Sequence, residues 1–253
     1  MTNRKLLLNY LIDIGGVATI NNMYSLEAKS YKGGILQARK LFKFYVANGL
    51  IKHLDPIINP RNPSQEIFYF ITKQGADFVG REDYKWKGVP KSPFNTFHES
   101  MKFDFALSWI KHFGSRETKI EYQRSFSKVR PDITITYKGR KYLVELERKK
   151  TIDRTVREKF IHYEKMFMEM KEKKYDNPKN YTVLFVFTNT WYNVFARPQQ
   201  YEYYLGEIKV LHEMTKELAK KCRSDFLFMP FSDFYKLNDV VWYKSDGNRI
   251  KLI

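Results

Sequence analysis

Residues 129–150, VRPDITITYKGRKYLVELERKK, constrain the fold more than any other stretch of the chain. Ile133, Ile135 and Tyr137 alternate with Asp132, Thr134 and Thr136, and Val144 and Leu146 alternate with Glu145, Glu147 and Lys149. A period of two is the signature of a strand with one apolar and one polar face. Lys138-Gly139 lies between the two runs as a two-residue turn, where glycine takes a positive φ at little cost. The segment therefore predicts an antiparallel hairpin. With Tyr137 and Arg140 flanking the turn, Asp132 falls directly opposite Glu145, at a Cβ separation of about 4.5–5.5 Å, and Glu147 follows two residues along the same face.

Three carboxylates on one patch of sheet repel one another unless a cation sits among them. Carboxylate oxygens suit a hard divalent ion, Mg²⁺ or Mn²⁺, which polarises a phosphate and lowers the pKa of a bound water. Asp132, Glu145 and Glu147 are thus candidate catalytic and metal-ligating residues, with Lys149 or Lys150 placed to neutralise charge on a phosphate. Glu121, on the strand expected at 118–126, is a candidate further ligand, set against the plainer reading of a solvated strand carboxylate.

Charge points to the same class of partner. The 253 residues contain 45 Lys and Arg against 28 Asp and Glu, a net +17, and the sequence pI is about 9.6. Residues 1–90 carry 13 basic and 7 acidic groups and the remainder 32 and 21, so both halves are basic. A polyanion lying across the whole molecule is the expected partner. The single Cys222 excludes an internal disulfide framework, and a reducing cytoplasm is the expected compartment. The longest later apolar run, Val183–Phe187, falls far short of the ~20 residues a membrane helix needs, so no membrane partner is expected.

The segment Gly80–Pro93, rich in charge with Gly and two prolines, marks a domain break. Before it, Leu7, Leu8, Leu11 and Ile12 recur at helical spacing up to Gly15-Gly16, and Thr19 is placed to cap a short helix over residues 20–24. A third helix runs from Gly33-Gly34 to Asn48-Gly49, with Ile35, Ala38, Phe42 and Tyr45 on one face and Gln37, Lys40 and Lys43 on the other. Two strands, LIKHLD (50–55) and EIFYFIT (66–72), follow on either side of a tip containing Arg61, and Lys73-Gln74-Gly75 opens another short helix. Three helices and then a hairpin is the winged-helix order, with the third helix in a DNA groove and the hairpin on the backbone nearby. NGLIKHLD…FYFITKQG also resembles the wing of bacterial winged-helix domains. Gln37, Lys40, Lys43 and Arg61 are the candidate DNA contacts; a solvated helix face and an ordinary loop charge are the plainer alternatives.

After the break a helix through Phe103–Phe113, the strand 118–126, the hairpin, a helix at 152–174, a buried strand at 181–188, a helix near 203–222 and a strand at 225–231 are expected. Pro131-Asp132 followed by Glu145-Leu146-Glu147 resembles the PD-(D/E)xK nuclease signature in its E-x-E variant, with Glu147 where the usual motif has lysine. The resemblance implies an α/β (α+β) chain: residues 1–85 a winged helix-turn-helix domain, and 95–253 a restriction-endonuclease-like α-β-β-β-α-β core. Lys159 and Tyr163, at i and i+4, resemble the Q-x-x-x-Y element by which related nucleases grip DNA; a core position is the alternative for Tyr163, and a packing residue for His98.

A winged helix followed by an E-x-E core is also similar to replication-relaxation proteins of mobile elements and MOBC-class plasmid relaxases. That likeness implies Mg²⁺- or Mn²⁺-dependent nicking of one strand, in double-stranded or locally melted DNA, at an origin of transfer or replication. It allows relaxosome or replication proteins as partners, and a homodimer. The alternatives are a non-catalytic initiator or repressor with a degenerate nuclease fold, and a restriction or transposon-type endonuclease.

Overall fold

The computed structural model describes residues 3–14, 17–20, 34–54, 57–58, 65–85, 93–114, 116–122, 124–126, 129–147, 154–187, 225–230, 242–244 and 248–250, together with 213, 216 and 220. It is a mixed α/β chain that divides into two compact units, Met1–Leu107 and Ser108–Ile253. The break expected at Gly80–Pro93 is displaced: the division falls later, inside a helix.

In the first unit, α1 (Asn3–Ile14) buries Leu7, Leu8, Leu11 and Ile12, the stripe its spacing predicts. Three short strands, β1 (Val17–Thr19), β2 (Ile51–His53) and β5 (Phe68–Ile71), form an antiparallel sheet with β5 in the centre. Thr19 ends that strand, buried opposite Phe68, and directly precedes Ile20, which is helical, as its expected place before a helix requires. Three residues are too few for a period to register, which is why β1 escapes a sequence reading. Beyond Ile20 the helix expected over 20–24 lies outside the described residues. Helix α2 (Gly34–Ala47) buries Leu41, Phe42 and Tyr45. Between β2 and β5, the pair β3 (Ile57–Ile58) and β4 (Gln65–Glu66) makes a small antiparallel ribbon.

Thr72 fastens the start of the next helix to the turn at Gly49-Leu50. Its hydroxyl donates to the Gly49 carbonyl at 2.7 Å and, as N-cap of α3 (Lys73–Phe78), accepts from Gly75 N at 3.0 Å. Gly75 packs so closely on the Leu50 backbone that a Cβ there would lie 2.1 Å from the Leu50 oxygen.

Helix α4 (Pro93–Phe113) leads into the second unit, whose seven-stranded sheet has the order β12-β11-β10-β9-β8-β7-β6. Its strands are β6 (Thr118–Tyr122), β7 (Ile133–Tyr137), β8 (Arg140–Glu147), β9 (Tyr181–Phe187), β10 (Asp225–Pro230), β11 (Trp242–Lys244) and β12 (Arg249–Ile250). β6, β7 and β8 are antiparallel; β8, β9 and β10 run parallel. The parallel step from β8 to β9 is bridged by α5 (Arg154–Lys173), as a crossover between parallel neighbours requires. From α4 to β9 the order is helix, three strands, helix, strand, as the sequence predicts. The edge pair β11–β12 has no counterpart in the sequence reading. Of the helix expected near 203–222, only Glu213, Lys216 and Lys220 are described, and they are helical.

Both faces of this sheet are covered. Trp109 and Phe113 at the end of α4 pack edge-on or tilted against Tyr137 and Tyr142 on one face. On the other, Phe160, Tyr163, Met166, Phe167 and Met170 of α5 pack on Leu143, Val183, Phe185, Phe226 and Phe228. Each buried phenylalanine removes enough apolar surface to contribute about 2–3 kcal/mol, so α5 is held at a fixed height over β8. Among the described residues no helix is long and apolar enough to cross a membrane.

Candidate functional site

The hairpin has the predicted register. Tyr137 pairs with Arg140 and Ile133 with Val144. Lys138 and Gly139 form the turn with φ of 46° and 78°, the double positive φ that suits the twist of a two-residue connection. Asp132 stands just before β7, and its Oδ2 accepts a hydrogen bond from Leu146 N at 2.9 Å, so the carboxylate ties the open end of the hairpin to β8. Glu145 and Glu147 alternate on β8 with Leu146 and share a face. They are 2% and 6% exposed, a depth at which an acidic side chain needs a counter-charge.

Helix α5 supplies it. Lys159 Nζ lies 2.6 Å from Glu145 Oε2 and also contacts Glu147 Oε1, so one ammonium bridges both carboxylates. One turn later the Tyr163 hydroxyl donates to the other Glu145 oxygen, Oε1, at 2.7 Å. Tyr163 has no exposed surface. Its hydroxyl is spent on Glu145 and its ring belongs to the core, the alternative expected for it, whereas the Lys159 side chain is 30% exposed. The i, i+4 spacing does put the two on one face of α5, but both side chains turn inward onto the carboxylates.

Burial pushes the Glu145 carboxyl up, to about 7; the Lys159 ammonium opposes that shift and the nearby Asp132 adds to it. Burial alone would lower Lys159, but Glu145, Glu147 and Asp132 outweigh it and hold the ammonium above its ordinary range. Tyr163 is raised well above its ordinary value, by burial first and by the negative charge of Glu145 second. The acidic oxygens at this place are carboxylates, the chemistry a hard divalent cation takes. Two of them already converge on a single positive centre, Lys159 Nζ. Among the described residues, no group of three or more His, Cys, Asp or Glu is arranged to hold a metal ion as it stands.

The remaining candidates lie elsewhere. Glu121, on β6 opposite Thr134, is ion-paired with Arg124 at 2.8 Å and Lys119 at 3.4 Å; it behaves as a strand carboxylate with cations of its own. Lys149 and Lys150 lie outside the described residues, as does Arg61. His98 is on α4 within the first unit.

Gln37 lies on α2, where Lys40 and Lys43 are exposed, as their position opposite Phe42 predicts. Arg39, also exposed, is a basic residue that the sequence reading does not single out; its place next to Lys40 is the only signal that could have found it. Beside α2 a cleft of about 420 Å³ has an apolar wall of Phe42, Val46 and Tyr69 and carries Arg39, Lys43 and His53. Compared with known proteins, the chain matches no family model, no curated protein and no solved structure.

Proposed function

We propose that this chain is a metal-dependent DNA endonuclease of PD-(D/E)xK type, a nickase acting as a relaxase at an origin of transfer or replication, with a winged helix as its DNA-binding domain. The observation that carries the reading is the convergence of Glu145 and Glu147 on one cationic centre beside Asp132, at the end of a hairpin within a mixed sheet. The β1-β5-β2 sheet packed with α1 and α2 supports the winged-helix assignment, with the β3–β4 ribbon as the tip of the wing.

In this reading Asp132, Glu145 and Glu147 hold Mg²⁺ or Mn²⁺. The bound ion supplies Lewis-acid polarisation of the scissile phosphate and a more acidic water. Tyr163 fixes one oxygen of Glu145, Oε1, and leaves the other, Oε2, to face a cation. Asp132, anchored through Leu146 N, keeps the end of the hairpin from opening. Arg39, Lys40 and Lys43 neutralise phosphates along double-stranded or locally melted DNA, a sequence-independent contribution that a net +17 favours.

A second reading has its own support. With the Lys159 ammonium already paired to both glutamates, the carboxylates have a counter-charge without any metal, which favours a DNA-binding initiator or repressor built on a degenerate nuclease fold. The two readings separate on one experiment. Purified protein mixed with supercoiled plasmid carrying its origin converts it to nicked circles with Mg²⁺ or Mn²⁺ and not with EDTA if the first is right. It binds without nicking if the second is.

A further inference from the structure

Lys159 has a position that the nuclease reading leaves without a task. Its ammonium takes Glu145 Oε2 and Glu147 Oε1, while Tyr163 takes Glu145 Oε1. A divalent cation seeking those two oxygens meets a positive charge already in place. The backbone of α5 cannot retreat, because Phe160 and Tyr163, next to Lys159 and one turn beyond it, are packed against Phe185 and Phe226. The side chain can. Lys159 is 30% exposed, and its flexible four-carbon stem lets the ammonium swing outward while α5 stays in place.

We propose that Lys159 is a built-in counter-cation that competes with the divalent metal for Glu145 and Glu147, and so sets the metal concentration at which the site fills. The inference rests on the nuclease reading above. Without metal, Lys159 keeps two buried carboxylates from repelling each other. When metal binds, the ammonium leaves the carboxylates and becomes more accessible.

The test is calorimetric titration of Mn²⁺ into the full chain, wild type against Lys159→Met and Lys159→Arg. Removing the competing charge should tighten Mn²⁺ binding by about tenfold or more, whereas arginine, which keeps it, should stay within about threefold of wild type. Should Lys159→Met fail to fold, the wild type alone decides. Acylation of Lys159 by an amine-reactive reagent, followed by mass spectrometry, should rise severalfold on adding Mn²⁺. Equal or weaker Mn²⁺ binding by Lys159→Met, or Lys159 acylation unmoved by Mn²⁺ in a wild type that binds it and nicks DNA, overturns the inference and leaves the nuclease reading standing. A wild type that binds no Mn²⁺ overturns both.

Discussion

Tyr163 is wholly buried, yet it ends in a hydroxyl whose hydrogen bond goes to an acidic oxygen as hidden as itself. A buried acceptor without its donor is left with an unmet desolvation cost. Tyr163→Phe keeps the ring and its packing on Phe167 and Phe185 but strands Glu145 Oε1. We expect a loss of about 1–2 kcal/mol in urea unfolding with little change in the slope m; an unchanged midpoint would mean that this hydrogen bond stabilises nothing. At Glu147 the substitution to lysine restores the commoner nuclease motif but sets a second ammonium against Lys159 in a site only 6% exposed. Repulsion there should cost about 2–3 kcal/mol, discounted for the partial exposure of Lys159, and abolish metal-dependent nicking. Wild-type nicking by Glu147→Lys would say that the position accepts either charge. Sequence spacing places Asp132, Glu145 and Glu147 together because hairpin register follows from the turn. It leaves open whether Tyr163 faces outward or the core, because the rotation of a helix about its axis relative to a sheet is decided by packing: the same i, i+4 pair faces solvent or the strands below according to where the Phe160 and Phe167 rings lodge.

Elements show the same division between what pattern dictates and what packing decides. Strong periods announce α1, α2, α5, the hairpin and the apolar run of β9. Strands of two or three residues, β1, β11 and β12, exist because longer neighbours offer them unpaired edges, and so few residues carry no period. Helix α3 depends on one glycine. Gly75→Ala would drive a Cβ to 2.1 Å from a backbone oxygen that has little room to move, so the first unit should lose about 2 kcal/mol or more, read as a lower midpoint in thermal unfolding. Full stability in that variant would mean that α3 does not dock on Leu50 as described.

Strand β9 begins at another dependency. Burial would raise Asp176, but hydrogen bonds from the Tyr181 hydroxyl and the Lys141 ammonium more than offset it, so its carboxyl sits below the ordinary value. A depressed carboxyl contributes stability above its unfolded pKa of about 3.9 and loses it as pH falls through the folded pKa. Asp176→Asn should therefore unfold more easily at neutral pH and show a shallower decline of stability in acid; identical acid profiles for the two proteins would refute the linkage.

At the scale of the molecule, the chain divides into two units and carries a net +17. Replacing Arg39, Lys40 and Lys43 of α2 with alanine should weaken DNA binding at low salt and flatten the slope of log K against log salt by about 0.9 for each phosphate no longer neutralised; an unaltered slope would remove α2 from the DNA backbone. The arrangement of two units is legible from the order of helices and strands and from the Gly-Pro-rich stretch. Composition does not say where packing between segments thins out, and the division falls within α4. The central claim is that Asp132 and Glu145 hold a metal that cuts DNA. Its most direct measurement is the rate at which supercoiled plasmid is nicked in Mg²⁺ or Mn²⁺ by wild type, Asp132→Asn and Glu145→Gln, each purified free of contaminating nuclease and each confirmed to bind DNA. The account predicts nicking by the wild type, none in EDTA, and a loss of at least about a hundredfold in both variants with DNA binding intact. Metal-dependent nicking at the wild-type rate by both variants would contradict it.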